Sequence, residues 1–266
     1  MTIHTANSTL VVAEFERDGY YLAPPVLEPE LLAAANARMR AVIVGEYETG
    51  IPPCSRNFAP GTGLDKLQKI DNAHRCDDVL LAAVSHPALG EWAAAVTGAS
   101  MVQIFATQLL FKPPGGQGGV NVGWHQDMEY WQAHLWGEVF TAWLALSDVT
   151  PEAGPMRFVR GSNHWGLLNA GDFFDGDMAA IRERIQGKES AEWEEVAAVL
   201  PPGGVSFHHN LTVHGSGANL SSNPRCSFAI HLRTESSGLV EGVDYRTAGW
   251  LNDFEDERAC PVIYRG

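Results

Sequence analysis

The sequence predicts a mainly β protein, an antiparallel sandwich or barrel, with helices placed before it in the chain. Two observations point there. Up to about residue 97 the apolar residues recur at helical spacing between glycine and proline breaks, whereas after Gly98 short alternating stretches rich in β-branched and aromatic residues take over. Those later stretches are separated by P-G, E-A-G and S-N-P turns, as expected of an antiparallel β core. The length, 266 residues with 45% hydrophobic and 19% charged, suffices for one sizeable core, so a single domain is the simplest expectation.

Element by element, residues 8–18 and 27–45 read as helices, with Ser8 and Pro29 near their starts and Gly19 and Gly45 at their ends. A loop runs from Gly50 to Gly63, followed by the polar segment LDKLQKIDNAHRCDD, and residues 77–96 read as a helical pair interrupted at Pro87. Strands are expected at MVQIFATQLLFKPP, around residues 120–127, at VFTAWLAL (139–146), MRFVRG (156–161), GVSFHH (204–209) and RCSFAIHL (225–232). The β core is therefore placed at about 99–235. Residues 169–195 depart from sheet periodicity and carry a short helix, an insert placed to act as a lid. After Gly238 the chain is rich in turns and charge and is suited to wrapping the barrel or to a dimer contact. No internal repeat is found, and KPPGGQGG lacks the G-K-[ST] ending of a phosphate loop.

Composition narrows the partners. A net charge of −14 argues against a nucleic-acid or anionic-membrane surface, while leaving room for a small anion held by a few buried arginines. The four cysteines include no C-x-x-C pair and read as free thiols in a reducing compartment. With no basic-then-apolar segment at the N-terminus and no apolar run approaching about 20 residues, a cytoplasmic protein is expected, a monomer or a homodimer.

The stretch GWHQD places His125 and Asp127 two residues apart, so both side chains share one face if the segment is extended. Alone, H-x-D is a weak signal. It gains weight from His214, 89 residues further on, and from Arg225, 11 residues beyond that. Two imidazoles and one carboxylate form the facial ligand set that suits non-haem Fe(II), with three positions left open. An arginine's planar fork suits bidentate capture of an organic acid chelating that metal. A zinc hydrolase or an inactive metal-binding jelly roll would also use the three ligands but would leave Arg225 unexplained, and a non-catalytic binding protein would leave the whole set to coincidence.

At FKPPGG, GWHQD, TAWLALSDVTPEAGPMRFVRGSNH and HGSGANLSSNPR the chain resembles the phytanoyl-CoA dioxygenase family of Fe(II)- and 2-oxoglutarate-dependent oxygenases, over roughly residues 10–235. The resemblance implies a double-stranded β-helix, the cupin-like jelly roll, with the N-terminal helices packed on its sheet. It also implies a dioxygenase that binds iron through His125, Asp127 and His214. Arg225, with Ser216 beside it, would clamp the distal carboxylate of 2-oxoglutarate, Trp143 would line the co-substrate, and Lys112 or Lys69 would reach its carboxylate. Related halogenases have alanine or glycine where this chain has Asp127, so the carboxylate favours hydroxylation, with succinate and carbon dioxide as co-products; desaturation, demethylation and ring closure are the alternatives.

By position in related hydroxylases, Gln108 and Trp131 would line the substrate, and Met128 lies in the same MEYW run. No basic cluster suits the phosphates of coenzyme A, so a free small molecule is the expected substrate. Among the remaining histidines, His208 and His209 would face opposite sides of a strand. Of these two, one would line the cavity near His214. His134, His164 and His231 are expected to be structural, as are His4, His74 and His86, and Asn219 is expected to brace the turn between His214 and Arg225.

Overall fold

The structure, a computed structural model, describes residues 5–116 and 121–266. His4 and the end of the glycine-rich loop, residues 117–120, lie outside them, as does the start of the strand expected around 120.

Two antiparallel sheets face each other. The larger one runs, with strands numbered in chain order, β1 (Tyr20–Ala23), β9 (Val205–His209), β6 (Leu135–Ala145), β11 (Arg225–Leu239), β4 (Met101–Lys112), β3 (Gln68–Asp71) and β2 (Ser55–Arg56), with β12 (Val262–Arg265) also paired to β4. The smaller sheet runs β5 (Val122–His125), β10 (His214–Ser216), β7 (Met156–Val159) and β8 (Glu195–Ala197). This is the jelly-roll architecture. The helices α1 (Thr5–Asp18), α2 (Pro29–Val44), α3 (Asp78–Val84) and α4 (Pro87–Thr97) cover the outer face of the large sheet, while α5 (Met128–Trp131) and α6 (Met178–Gln186) belong to the connections.

The alternation of side chains along the central strands sorts the molecule into two compartments. On β11, Phe228, Ile230 and Leu232 point outward into the core under the helices, where Phe140, Ala142 and Leu144 of β6 and Met39 and Leu80 of the helices join them. The intervening positions, Arg225, Ser227, Ala229 and His231, face the small sheet. With them stand Thr141 and Trp143 of β6, Gln108, Leu110 and Lys112 of β4, and His208 of β9, each on its strand's opposite phase to the core residues. A smaller apolar cluster of Tyr20, Leu110, Trp143, Met156 and Phe158 seals the space between the sheets at one end.

Several elements differ from expectation. The region up to residue 97 is not only helical: β1 pairs with β9, and β3 with β4, because strand edges left bare would expose unpaired backbone groups. For the same reason β12, at the chain's end, pairs with β4. Strand β6 begins earlier and strand β11 ends later than their apolar alternation suggests, the two continuing together past a register shift between Arg233 and Ser237 as a two-stranded ribbon. Asp78–Thr97 is apolar enough in composition to cross a membrane, but it breaks before Pro87 into helices of 7 and 11 residues whose apolar side chains are in the core.

His74 ties the segment around Ala259 to the large sheet. It is fully buried, its Nε2–H donates to the Ala259 carbonyl at 2.9 Å, and its Nδ1 therefore accepts from the Thr107 hydroxyl at 2.8 Å. Burial pushes its pKa down to about 4. The unfolded chain takes up a proton near pH 6.5 that the folded imidazole refuses, so stability falls as pH drops from about 6.5 toward 4. In urea unfolding across that range, His74→Gln, whose amide can keep both hydrogen bonds without titrating, is predicted to remove up to about 1.4 kcal/mol per pH unit of the slope.

Candidate active site

The inner compartment holds a cluster of buried titratable side chains. His125 ends β5, His214 begins β10, and the two residues stand directly opposite each other in that antiparallel pair. Their ring centroids are 4.2 Å apart. Each imidazole donates through Nδ1 to a backbone carbonyl two residues back, His125 to Gly123 at 2.8 Å and His214 to Thr212 at 2.9 Å. That fixes the tautomer: both Nε2 lone pairs are free and point to the same place. Burial pushes both pKa values down to about 4, so both rings are neutral at neutral pH.

Asp127 closes the group. It lies past the end of β5, with helical backbone angles (φ −57°, ψ −37°) at the start of α5. The H-x-D pair thus converges through a turn rather than through the two-residue period of a continuous strand, since an extended residue 127 would continue along β5 past the site. Its Oδ1 is 3.7 Å from Nε2 of both His125 and His214, and donor atoms of the three residues lie within 4.8 Å of one another. Its Oδ2 accepts from the Thr141 hydroxyl at 2.7 Å and from His208 Nε2 at 3.2 Å. Burial opposes its charge, but His214 and the His208 hydrogen bond outweigh it and hold the carboxyl well below the usual range. One carboxylate oxygen is therefore held by the protein and the other is presented, with two imidazole nitrogens, to a common point. Such a set can hold a divalent metal and leaves neighbouring positions open.

Deeper in the same cavity is a second cluster. Arg225, 2% exposed, donates to the Gly154 carbonyl at 2.6 Å, lies 5.1 Å above the Trp143 ring, and has no partner at Nε. Burial lowers its pKa to about 10. Directly across the β11–β4 pair is Lys112, fully buried, with Nζ 2.7 Å from Ser216 Oγ and 2.6 Å from the Gly217 carbonyl. Burial, then the neighbouring Arg225, push its pKa well down. Ser216, Arg225 and Trp143 line the cavity beside the three metal-ligand candidates; Lys112 does not. Its ammonium donors are already committed to Ser216 and Gly217, so it orients Ser216 instead of reaching the cavity itself. Lys69 lies in an adjoining cavity, paired with Asp71 at 2.7 Å. Asn219 holds the intervening turn, donating to the Asn223 carbonyl at 2.7 Å and accepting from Ser221.

That adjoining cavity, about 640 Å³ including its mouth, opens from the triad toward the surface. Gln108 and Trp131 line it, together with Tyr130, Phe173, His231 and Trp250. Met128 lines neither cavity: its sulfur takes a contact from the Asn210 amide at 3.6 Å and its side chain packs with the Leu135 cluster, because one step along a helical turn carries it to the far side from Asp127. Phe173 comes from the segment after Asn169, which is laid on β5 by backbone bonds, Gly123 to Phe173 at 3.1 Å and Asp172 to Trp124 at 3.0 Å. The approach is so close that a Cβ on Gly123 would sit 2.0 Å from the Asp172 carbonyl oxygen.

Sequence reasoning passed over Thr141 and Trp250, expected His231 to be structural, and named His208 only as one of a pair. His208 faces the site, while His209 on the opposite side packs near Phe15. The signal for Thr141 was present: it is two residues before Trp143, on the same face of β6.

A family model described as phytanoyl-CoA dioxygenase (PhyH) matches residues 15–227. The phytanoyl-CoA dioxygenase domain-containing protein 1 of Mus musculus is 26% identical over 200 residues, 74% of this chain and 66% of the mouse protein, so the chain spans just under two thirds of that relative's length. Among solved structures, the epimerase SnoN in complex with Fe3+, alpha ketoglutarate and nogalamycin RO is 25% identical with a TM-score of 0.69, covering 90% of this chain and 89% of that one. The alpha ketoglutarate dependent carbocyclase SnoK from nogalamycin biosynthesis shares the fold, with a TM-score of 0.71 at 23% identity and 95% coverage of both chains.

Thr141 is the neutral donor to Asp127. Thr141→Val keeps the shape of the side chain and removes that donor, and is predicted to weaken Mn(II) binding, measured by calorimetry, on the order of ten- to a hundredfold.

Proposed function

The chain belongs to the phytanoyl-CoA dioxygenase family, and from that premise we propose that it is an Fe(II)- and 2-oxoglutarate-dependent dioxygenase that hydroxylates a free small molecule at an unactivated C–H bond. In this reading His125, Asp127 and His214 hold the iron, and Arg225 and Ser216 hold the distal carboxylate of 2-oxoglutarate against Trp143. With dioxygen, the iron and 2-oxoglutarate together supply the oxidising power, and succinate and carbon dioxide leave.

The observation that carries the reading is a buried cation. Arg225 lines the cavity beside the triad, bonds only the Gly154 carbonyl, and among the described residues no carboxylate is hydrogen-bonded to it. Uncompensated positive charge in a buried cavity calls for an anion. Lys112 donates to Ser216 Oγ, which leaves the serine's own hydrogen free to donate to that anion. A molecule with a carboxylate at Arg225 and a chelating 2-oxo acid at the other end would span the cavity from Arg225 and Ser216 to the metal ligands, and the inactive metal-binding jelly roll and the zinc hydrolase have no use for Arg225.

The protein's remaining contributions are positional. Thr141 and His208 hold one oxygen of Asp127, which would leave the other for the metal. Phe173, 5.3 Å from the His125 ring, screens the site from solvent. Gln108 and Trp131 line the space where substrate would lie, which removes Met128 from the expected contacts. A second outcome at the same site, epimerisation, is favoured by the likeness to the epimerase SnoN; a product heavier by one oxygen atom separates hydroxylation from it.

Anaerobic addition of Fe(II) and 2-oxoglutarate to the metal-free protein is expected to produce a visible charge-transfer band. Arg225→Ala is expected to raise the 2-oxoglutarate concentration for half-formation by roughly thirtyfold or more, from the 2 kcal/mol or more that removing a buried charged partner costs. No band from folded, metal-loaded wild-type protein overturns the reading.

A further inference from the structure

Behind the triad the hydrogen bonds have a direction. Asp127 is a carboxylate and can only accept, so the single hydrogen of Thr141 Oγ1 goes to Asp127. Thr141 Oγ1 is therefore the acceptor in its 3.0 Å contact with His231 Nδ1, and His231 carries its proton on Nδ1. The ring is 4% exposed, stacked beside Phe105 and edge-on to Trp131. Burial keeps it neutral. Its Nε2 is thus a bare acceptor, buried and, among the described residues, without a partner, on the wall shared by the triad cavity and the outer cavity. Leaving such an acceptor unpaired is costly, and a site with an unpaired buried group selects ligands that satisfy it.

The rest of the outer cavity has a definite chemistry. Trp131, Tyr130, Phe173, Phe174 and Trp250 supply aromatic walls. The two charges on its wall outside the triad, Lys69 and Asp71, neutralise each other at 2.7 Å. Gln108 stands on the same inner face as His231, diagonal to it in the β4–β11 register, and among the described residues its amide has no side-chain hydrogen bond.

We propose that His231 is a specificity-determining residue whose Nε2 accepts a hydrogen bond from a hydroxyl or N–H group of the substrate, and that the substrate is an uncharged ring compound carrying that donor between the aromatic walls. The proposal rests on the reading that this cavity receives the substrate. Gln108 is placed to donate to the oxygen of the same group, so a hydroxyl satisfies both residues. Anionic substrates find no free cation in this cavity, and a compound with no donor leaves Nε2 stranded.

The test is equilibrium dialysis of the full chain, anaerobically, both metal-free and loaded with Fe(II) and 2-oxoglutarate, against 2-naphthol and 2-methoxynaphthalene, with 2-naphthoate added for the loaded form. Wild-type protein is expected to bind 2-naphthol roughly tenfold more tightly than the methyl ether, and the naphthoate no better than the ether. His231→Phe fills the ring's space without an acceptor and is expected to bring the alcohol-to-ether ratio to about one. His231→Gln, which keeps an acceptor oxygen, is expected to retain part of it. Equal binding of alcohol and ether by the wild type overturns the proposal without needing any variant, and so does a preference that survives in His231→Phe or a tighter grip on the naphthoate. The metal-free arm keeps this result separate from the cofactor reading: absence of the visible band refutes the latter, while the alcohol-to-ether ratio is measured regardless.

Discussion

His214 is registered against His125 across the β5–β10 pair, and everything else in the site is arranged around that pairing. Residues directly opposite in an antiparallel ladder share a face and stand about 5 Å apart, close enough for two side chains to meet at one point. The pairing is not regular: Ser216 falls opposite Val122, so β5 accommodates an extra residue between Val122 and His125. An added residue of this kind twists a strand locally and re-aims the side chain that follows. Here the re-aimed side chain is His125, and the chain then turns into α5, which returns Asp127 to the same point.

Opposite the small sheet, the long strands of the large sheet serve two purposes at once. Their outward residues make the main core with the helices, and their inward residues, one position removed, are Arg225, His231, Thr141, Trp143, Gln108 and Lys112. A strand pairing slipped by one residue would exchange the two sets, putting arginine and lysine under the helices and phenylalanine in the cavity. The core thereby fixes the register that places the site. Burying the cations is expensive, and the fully buried apolar residues on the reverse face offset it.

Much of this was readable from the sequence. The β core, the helices, His125, Asp127, His214 and Arg225 announce themselves through alternation, glycine stops and residue spacing, because each is a local pattern or a rare combination. Strands β1, β3 and β12 did not: four residues such as YYLA or QKID have no distinctive period, and they are strands only because a neighbouring edge needs a partner. Asp127 was legible as a residue but not as a turn, since H-x-D fits both geometries. His231 and Thr141 were hidden for a different reason. A histidine in a run such as FAIHL looks like a structural residue until the hydrogen of Thr141 is traced to Asp127, and that direction exists only in three dimensions. Lys112 was visible, but its commitment to Ser216 and Gly217 was not.

The three metal-ligand candidates sit on two segments 89 residues apart. Neither segment holds enough of the set to bind a metal well by itself, and bringing them together in an unfolded chain would mean closing a long loop at an entropic cost. A cation that finds this site therefore finds only the folded protein. By mass action it acts as a removable cross-link between the first and last thirds of the jelly roll, worth about 2.7 kcal/mol at a hundred times its dissociation constant. A metal held there would therefore stabilise the fold in proportion to its supply, through the pairing of β5 with β10.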